Sequence, residues 1–208
     1  MSQAKFITLE GTEGVGKSTQ CSMLATAIER EFGVDAEVTR EPGGTFLGES
    51  IRSILLDPNI PAMDGATELL LMFAGRAEHL AKVIKPALAD NRWVICDRFT
   101  DATYAYQGGG RGLEKKVISD LQAIVQKGFA PDLTVVLDLE VDVALKRVAK
   151  RGEPDRFEQE RHEFFERVRA TYLRLVVAYP ERIALVDAAP AVDVVHRAVM
   201  DAVRERLI

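Results

Sequence analysis

Cysteine is scarce in this sequence. Its 208 residues hold only Cys21 and Cys96, at no metal-ligand spacing and with no disulfide framework. Both stand in apolar surroundings, so buried free thiols in a reducing cytoplasm are the expectation. The three histidines, His79, His162 and His196, fall on predicted helices with no partner residues near them in sequence, which predicts ordinary helix residues rather than catalytic ones. No apolar run approaches the length needed to span a bilayer, and Met1 to Lys5 leads into the first apolar segment without the core of a signal peptide. A membrane role is therefore not expected. A cationic excess is missing too: the net charge is −5, which argues against a general nucleic-acid binder. Any anion must be met by cations concentrated locally. Internal repeats, low-complexity stretches and linkers are also lacking, so residues 1–208 are expected to form one α/β domain.

What the chain does contain is Gly11-Thr12-Glu13-Gly14-Val15-Gly16-Lys17-Ser18, a match to the P-loop pattern G-x-x-x-x-G-K-[ST]. Lys5 to Leu9 before it reads as a buried strand, and Thr19 to Ile28 after it has helical periodicity. The glycines let successive N–H groups point inward as an anion cradle, and the following helix adds its positive end. Lys17 reaches for the outer phosphates and Ser18 offers a hydroxyl to Mg²⁺. A plain Gly-rich turn would leave the Lys-Ser pair unexplained.

Further strands are expected at Ala36–Thr39, Trp93–Asp97, Leu133–Asp138 and Ile183–Asp187. Helices are expected at about Leu47–Leu56, Asp64 or Thr67 to Ala89, Leu113–Lys127, Val143–Lys150 with Asp142 as N-cap, Gln159–Ala178 and Val192–Leu207. Pro86 should kink the second of these or end it early. Strand and helix alternate, which predicts a five-stranded parallel sheet with helices on both faces, a three-layer P-loop NTPase-like fold. Charged residues gather at the strand ends, where open α/β sheets bind ligands: Arg40-Glu41, Asp97-Arg98 and Asp138. Arg52 is carried toward the same edge. Leu69, Met72, Phe73 and Arg76 share one helical face, and Leu70, Ala74, Ala77 and Ala81 a neighbouring one. Phe73 reads either as core, with Arg76 merely extending past it, or as a flat-ring stacker beside an arginine fork. Phe99 to Gly112 is polar, aromatic and Gly-rich, as a ligand-contacting loop or hinge would be. The charged run Lys146 to Arg156 reads as a mobile lid supplying the missing cations.

A P-loop leaves GTPase, motor ATPase and kinase open. The guanine-reading N-K-x-D pattern is absent, and no second module for mechanical coupling is evident. Ligand-like residues on the strand ends flanking the P-loop imply a second small substrate facing the nucleotide's phosphates.

Glu10 to Thr19, Thr39 to Thr45, Asp97-Arg98-Phe99, Ala105 to Gly112 and Arg151 to Glu158 together resemble bacterial thymidylate kinase over nearly the whole chain. The resemblance implies transfer of the γ-phosphoryl of ATP to dTMP with Mg²⁺, in a cytoplasmic homodimer. It implies ATP binding by Gly11, Thr12, Glu13, Gly14, Val15, Gly16, Lys17, Ser18, Thr19 and Arg151. Phe73 would stack on thymine, Arg76 would bond its carbonyl oxygen, and Thr103 and Gln107 would read the remaining edge. Glu41 and Arg52 would line that pocket, Tyr106 would lie near the sugar, and Arg98 would hold the acceptor phosphate. Lys17, Arg98 and Arg151 would be the three cations around the moving group, with Glu13 beside the acceptor site. The P-loop variable positions carry no arginine, while the lid holds Arg151 and Arg156, so the chain resembles the lid-arginine type. Whether Arg151 acts on the phosphates, the adenine or both stays open. Ser18 would be on the metal side; Asp97 and Asp138 both end apolar strands and either fits beside it by pattern, but the resemblance favours Asp97, through water, with Asp138 instead bracing or capping the lid helix, the lid being about residues 147–158. Tyr104 departs from some relatives and is expected to alter pocket width. A kinase for another nucleoside monophosphate, or an ATP-binding regulator without transfer, are the rival readings.

Overall fold

A computed structural model of the protein describes residues 4–60, 63–150 and 154–208. Five strands, β1 (Phe6–Glu10), β2 (Ala36–Arg40), β3 (Trp93–Asp97), β4 (Leu133–Asp138) and β5 (Ile183–Asp187), form one parallel sheet in the order β2-β3-β1-β4-β5. The central strands are apolar on both faces because both are covered. Ile7 and Leu9 of β1, with Trp93, Ile95, Val135 and Val186, pack under α1 (Lys17–Phe32) and α9 (Val192–Leu207). Phe6, Val94 and Cys96 face the opposite layer, against Leu80, Ile84 and Phe99. Cys21 and Cys96 are buried free thiols, as expected.

The remaining helices are α2 (Phe46–Leu56), α3 (Gly65–His79), α4 (Lys85–Ala89), α5 (Thr100–Thr103), α6 (Lys115–Gln126), α7 (Val141–Val148) and α8 (His162–Ala178). Thr45 caps α2 by accepting from Gly48 N at 2.8 Å, and Asp64 caps α3 through Ala66 N and Thr67 N. Pro86 interrupts the long helix as expected. Its ring crowds the preceding turn and it has no N–H, so the chain widens into a π-helical turn at Leu80–Ile84 before α4 resumes.

Three expectations are corrected. Glu140, not Asp142, precedes α7; Asp142 sits in the first turn and pairs with His162 Nε2 at 3.0 Å. The expected start of a helix at Gln159 is a turn instead, in which Asp155 Oδ1 accepts from Phe157 N and Glu158 N, and α8 begins at His162. The expected loop at Phe99–Gly112 is helical: α5 runs directly into a π-helical turn, Tyr104–Gly110. Its glycines serve close approach rather than hinging. A Cβ on Gly109 would stand 2.2 Å from Thr171 Oγ1, and one on Gly110 2.4 Å from the Phe164 ring, both on α8. Gly-rich polar composition misled because packing against α8, invisible in the local sequence, makes the helix worthwhile.

Candidate active site

β1 lies between β3 and β4 rather than beside β2, so the chain after β1 emerges where the strand order reverses. That is where open α/β sheets bind ligands. A cavity of about 420 Å³ opens there, lined from the P-loop across to α3 and to Asp155, Phe157 and Glu158 of the lid run. Gly11, Gly14 and Gly16 have φ of 132°, 77° and 96°, the left-handed range that the cradle requires. Glu13, Gly14, Gly16, Lys17, Ser18 and Thr19 line the cavity. Gly11 and Thr12 stand just behind, where their carbonyls accept from Lys17 Nζ at 3.3 and 2.7 Å. The Val15 side chain is in the core. Burial, then the charge of Arg98, pulls the Lys17 pKa down to about 8, against the pull of Asp97, Glu13 and Glu10. An arriving anion would restore the cation's preference for charge. Ser18 Oγ donates to Asp97 Oδ2 at 2.8 Å, and both line the cavity. Asp138, the competing strand-end acid, instead takes Arg169 of α8 on both oxygens, at 2.8 and 3.0 Å, and caps nothing on α7.

Arg98 also lines the cavity. Its backbone has φ 73°, an uncommon conformation for a residue with a Cβ, and costs about 1–2 kcal/mol. The strain is held by flanking bonds: Arg98 N to Leu9 O at 3.0 Å, and Phe99 N to Glu10 Oε1 at 2.7 Å. The guanidinium donates to Gly11 O and to Glu13 Oε1, each at 2.8 Å, and lies 4.7 Å from the Tyr106 ring centroid. Tyr106 Oη donates to the other Glu13 oxygen at 2.6 Å. Glu13 thus holds an edge of the arginine fork and the Tyr106 ring one face. Beneath it, Glu10 is fully buried, accepts from Tyr172 Oη at 2.8 Å, and has its pKa pushed up to about 8 by burial and then by Asp101.

At the far end, Arg76 is buried and donates from Nε to Glu41 Oε2 at 2.7 Å and from Nη2 to Phe99 O and Thr103 Oγ1. Its Nη1 is buried with no partner among the described residues. A buried guanidinium N–H is costly to leave unpaired, so this atom waits for an acceptor. Glu41, Arg52, Arg76, Thr103, Tyr106 and Gln107 all line the cavity, and Arg52 is steadied by Pro42 O at 3.0 Å. Phe73 does not line it. The lining residues on α3 are Arg76 and Met72, which stands four before it and so on its face one turn earlier. Phe73 packs with Leu69 and Ile118 behind the wall, its ring 4.8 Å from the Arg76 Cζ. Tyr104 likewise does not line the cavity; its Oη donates to Gln122 Oε1 at 2.8 Å.

The lid run is not where the described cations gather. Arg151 lies outside the described residues. Arg156 turns inward, donating to Leu55 O and to Glu68 Oε2, each at 2.7 Å. Arg147 donates to the carbonyls of Ala188 and Ala189. The cations on the cavity wall, Lys17, Arg40, Arg52, Arg76 and Arg98, come from five different elements. Sequence reasoning also missed a second layer. His79, read as an ordinary helix residue, is fully buried, with Nδ1 3.0 Å from Glu41 Oε1 and Nε2 2.7 Å from Thr39 Oγ1. Glu68 was missed altogether. A charged residue on an apolar helix face was the available signal for both, but their partners are about 40 residues away in the chain.

The thymidylate kinase family model matches residues 9–199. The chain belongs to the thymidylate kinase family. It is a nucleoside monophosphate kinase, a phosphotransferase, by that membership. It is 57% identical to the thymidylate kinase of Pseudomonas putida (strain GB-1) over 192 residues, 92% of this chain and 91% of that one. Against the thymidylate kinase of Alkalilimnicola ehrlichii it is 54% identical over 203 residues, covering 97% and 93%. The crystal structure of thymidylate kinase from Ehrlichia chaffeensis is similar with a TM-score of 0.79 at 34% identity, covering 95% of this chain and 97% of that one. The kinase has no helix among its described residues long and apolar enough to cross a membrane.

Proposed function

We propose that the kinase transfers the γ-phosphoryl of ATP to dTMP, giving dTDP and ADP for dTTP synthesis in the cytoplasm. The observation that carries this reading is that one cavity is lined by Lys17 and Ser18 at the P-loop, by Arg98, and by Arg76, whose Nη1 has no partner among the described residues. ATP phosphates on the cradle and an acceptor phosphate on Arg98 would meet head to head, which is the positioning that phosphoryl transfer needs. The acceptor phosphate is already anionic near neutral pH, so no general base is required. Arg76 Nη1 is then the donor for a ring carbonyl, and Met72 the side chain against the ring's face. The Ser18 hydroxyl and Asp97 carboxylate are hard oxygen groups within bonding distance of each other, and they fit Mg²⁺, Ser18 directly and Asp97 through water. When bound, the ion would neutralise charge on the β- and γ-phosphates. Arg151 is assigned to the lid as the transition-state arginine, with the lid at about residues 147–158 of a single domain.

A homodimer is part of the same reading, supported by the exposure of Leu70, Ala74, Ala77 and Ala81 along one face of α3 and the turn after it. Purified kinase with ATP, Mg²⁺ and a panel of dTMP, dCMP, UMP and GMP, with ADP measured, tests the activity. ADP formation with dTMP far above the rest is expected. A preference for another monophosphate, or no transfer to any, would sink the assignment.

A further inference from the structure

Glu68 touches no part of the cavity, yet it organises the wall that would read the base. It is fully buried on α3 and receives four donors. Gln107 Nε2 at 2.8 Å and Arg111 Nε at 3.2 Å reach Oε1; Arg111 Nη2 at 3.2 Å and Arg156 Nη2 at 2.7 Å reach Oε2. Those four donors match the lone-pair sites of a carboxylate. Arg111 also pairs with Glu160, so two arginines face two carboxylates and the cluster is neutral. It ties the cavity wall together: Arg156 lies between Asp155 and Phe157, which both line the cavity.

We infer that Glu68 is a specificity-determining positioning residue, which fixes the amide of Gln107 so that the pocket reads a pyrimidine edge with an oxo group at C4 and a hydrogen on N3. The inference deepens the dTMP reading and rests on it. An ionised carboxylate is acceptor-only, so Gln107 must turn its NH₂ toward Glu68. The opposite flip would set two oxygens face to face. The amide carbonyl is thereby left for the cavity, and no described residue donates to it. Thr103 and Gln107 are one turn apart on the same face, and Thr103 Oγ1 already touches Arg76 Nη2 at 3.0 Å. The wall therefore carries a donor, Arg76 Nη1, and an acceptor, Gln107 Oε1, on residues that line one cavity and are linked through Thr103. Thymine and uracil offer the complementary acceptor and donor. Cytosine offers a 4-amino donor and a bare N3, so donor meets donor and acceptor meets acceptor, a mismatch that buried sites reject strongly.

The test is Glu68→Gln, with kcat/KM measured for dTMP and for dCMP at saturating ATP. A neutral amide at position 68 can present either of its ends, so the flip of Gln107 is no longer dictated. The ratio of dTMP to dCMP efficiency is expected to fall roughly ten- to a hundredfold, through KM for dTMP, with KM for ATP within about twofold. Glu68→Asp, still acceptor-only, should restore much of the ratio. Should E68Q not fold, the swap E68Q/Q107E keeps the charge and leaves a carboxylate oxygen facing the cavity; it should keep the thymine preference. An unchanged ratio in folded E68Q, equal losses for dTMP, dCMP and ATP, or a swap that loses the preference would each overturn the inference. Wild-type enzyme that ignores dTMP would instead overturn the reading beneath it, before any variant is made.

Discussion

Replacing Arg98 by alanine separates alignment from folding. The side chain is held before any substrate arrives, by Gly11 O and Glu13 Oε1 at 2.8 Å each and by the Tyr106 ring 4.7 Å away. Little ordering is left to do when the acceptor phosphate binds. Each charge-assisted hydrogen bond is worth about 1.5–3 kcal/mol, and the fork can make two to one phosphate. The loss is then about 3–6 kcal/mol, or a fall of roughly 10² to 10⁴ in kcat/KM for dTMP. Lysine keeps the charge but not the fork, so Arg98→Lys should recover only part of that. Alanine at φ 73° keeps the backbone strain, and the flanking bonds of Leu9 O and Glu10 stay, so the fold should survive with a modest fall in Tm. Steady-state ADP release, with each substrate varied in turn, reads the effect; KM for ATP should move little. A variant that keeps kcat/KM for dTMP within tenfold of wild type, or whose ATP KM rises as much as its dTMP KM, refutes the reasoning.

Met72→Ala should raise KM for dTMP with little change in Tm, whereas Phe73→Ala, which empties a buried site, should cost about 3–5 kcal/mol in a urea titration and affect dTMP less; the reverse order would return Phe73 to the cavity wall. Glu10→Gln should stabilise increasingly as pH rises from about 5 to 8. The folded pKa is raised from 4.5 to about 8, so the folded state binds the extra proton in that window and wild-type stability falls through it, by at most about 1.4 kcal/mol per unit. Thermal melts of both proteins across that range check it, and a gain independent of pH would place the Glu10 charge elsewhere. Arg151→Ala should lower kcat by roughly 10³ or more with the far-UV spectrum unchanged, as loss of a transition-state arginine does; an unchanged rate removes the lid-arginine assignment.

The central strands were legible because strands buried on both faces are continuous apolar runs ended by charge, as in Leu133 to Asp138, whereas the edge strand β2, Ala36–Arg40, carries no buried residue and alternates polar with apolar. The P-loop was legible because its glycines, Lys17 and Ser18 act within a few residues of one another. Resemblance carried the substrate-site residues, and the cavity gathers most of them: Glu41, Arg52, Arg76, Arg98, Thr103, Tyr106 and Gln107. Helical periodicity alone placed Phe73 and Met72 on one stripe. Only packing decided which of the two neighbours, about 100° apart around the axis, faces the cavity.

Local chemistry, then, was written in the sequence: the anion cradle, the sheet's strands and the arginine at the end of β3. Tertiary structure decided the strand order β2-β3-β1-β4-β5, which brings Glu10, Arg40 and Asp97 to one edge. It also decided that Arg156 is an anchor rather than a mobile cation, and that the Gly-rich stretch is a helix pressed on α8. Periodicity reports only neighbours within a turn or two. The pairs that set the site's electrostatics, Arg76 with Glu41, Gln107 with Glu68 and Arg98 with Glu13, span 35, 39 and 85 residues, and long-range contacts of that kind exist only once the chain has closed on itself.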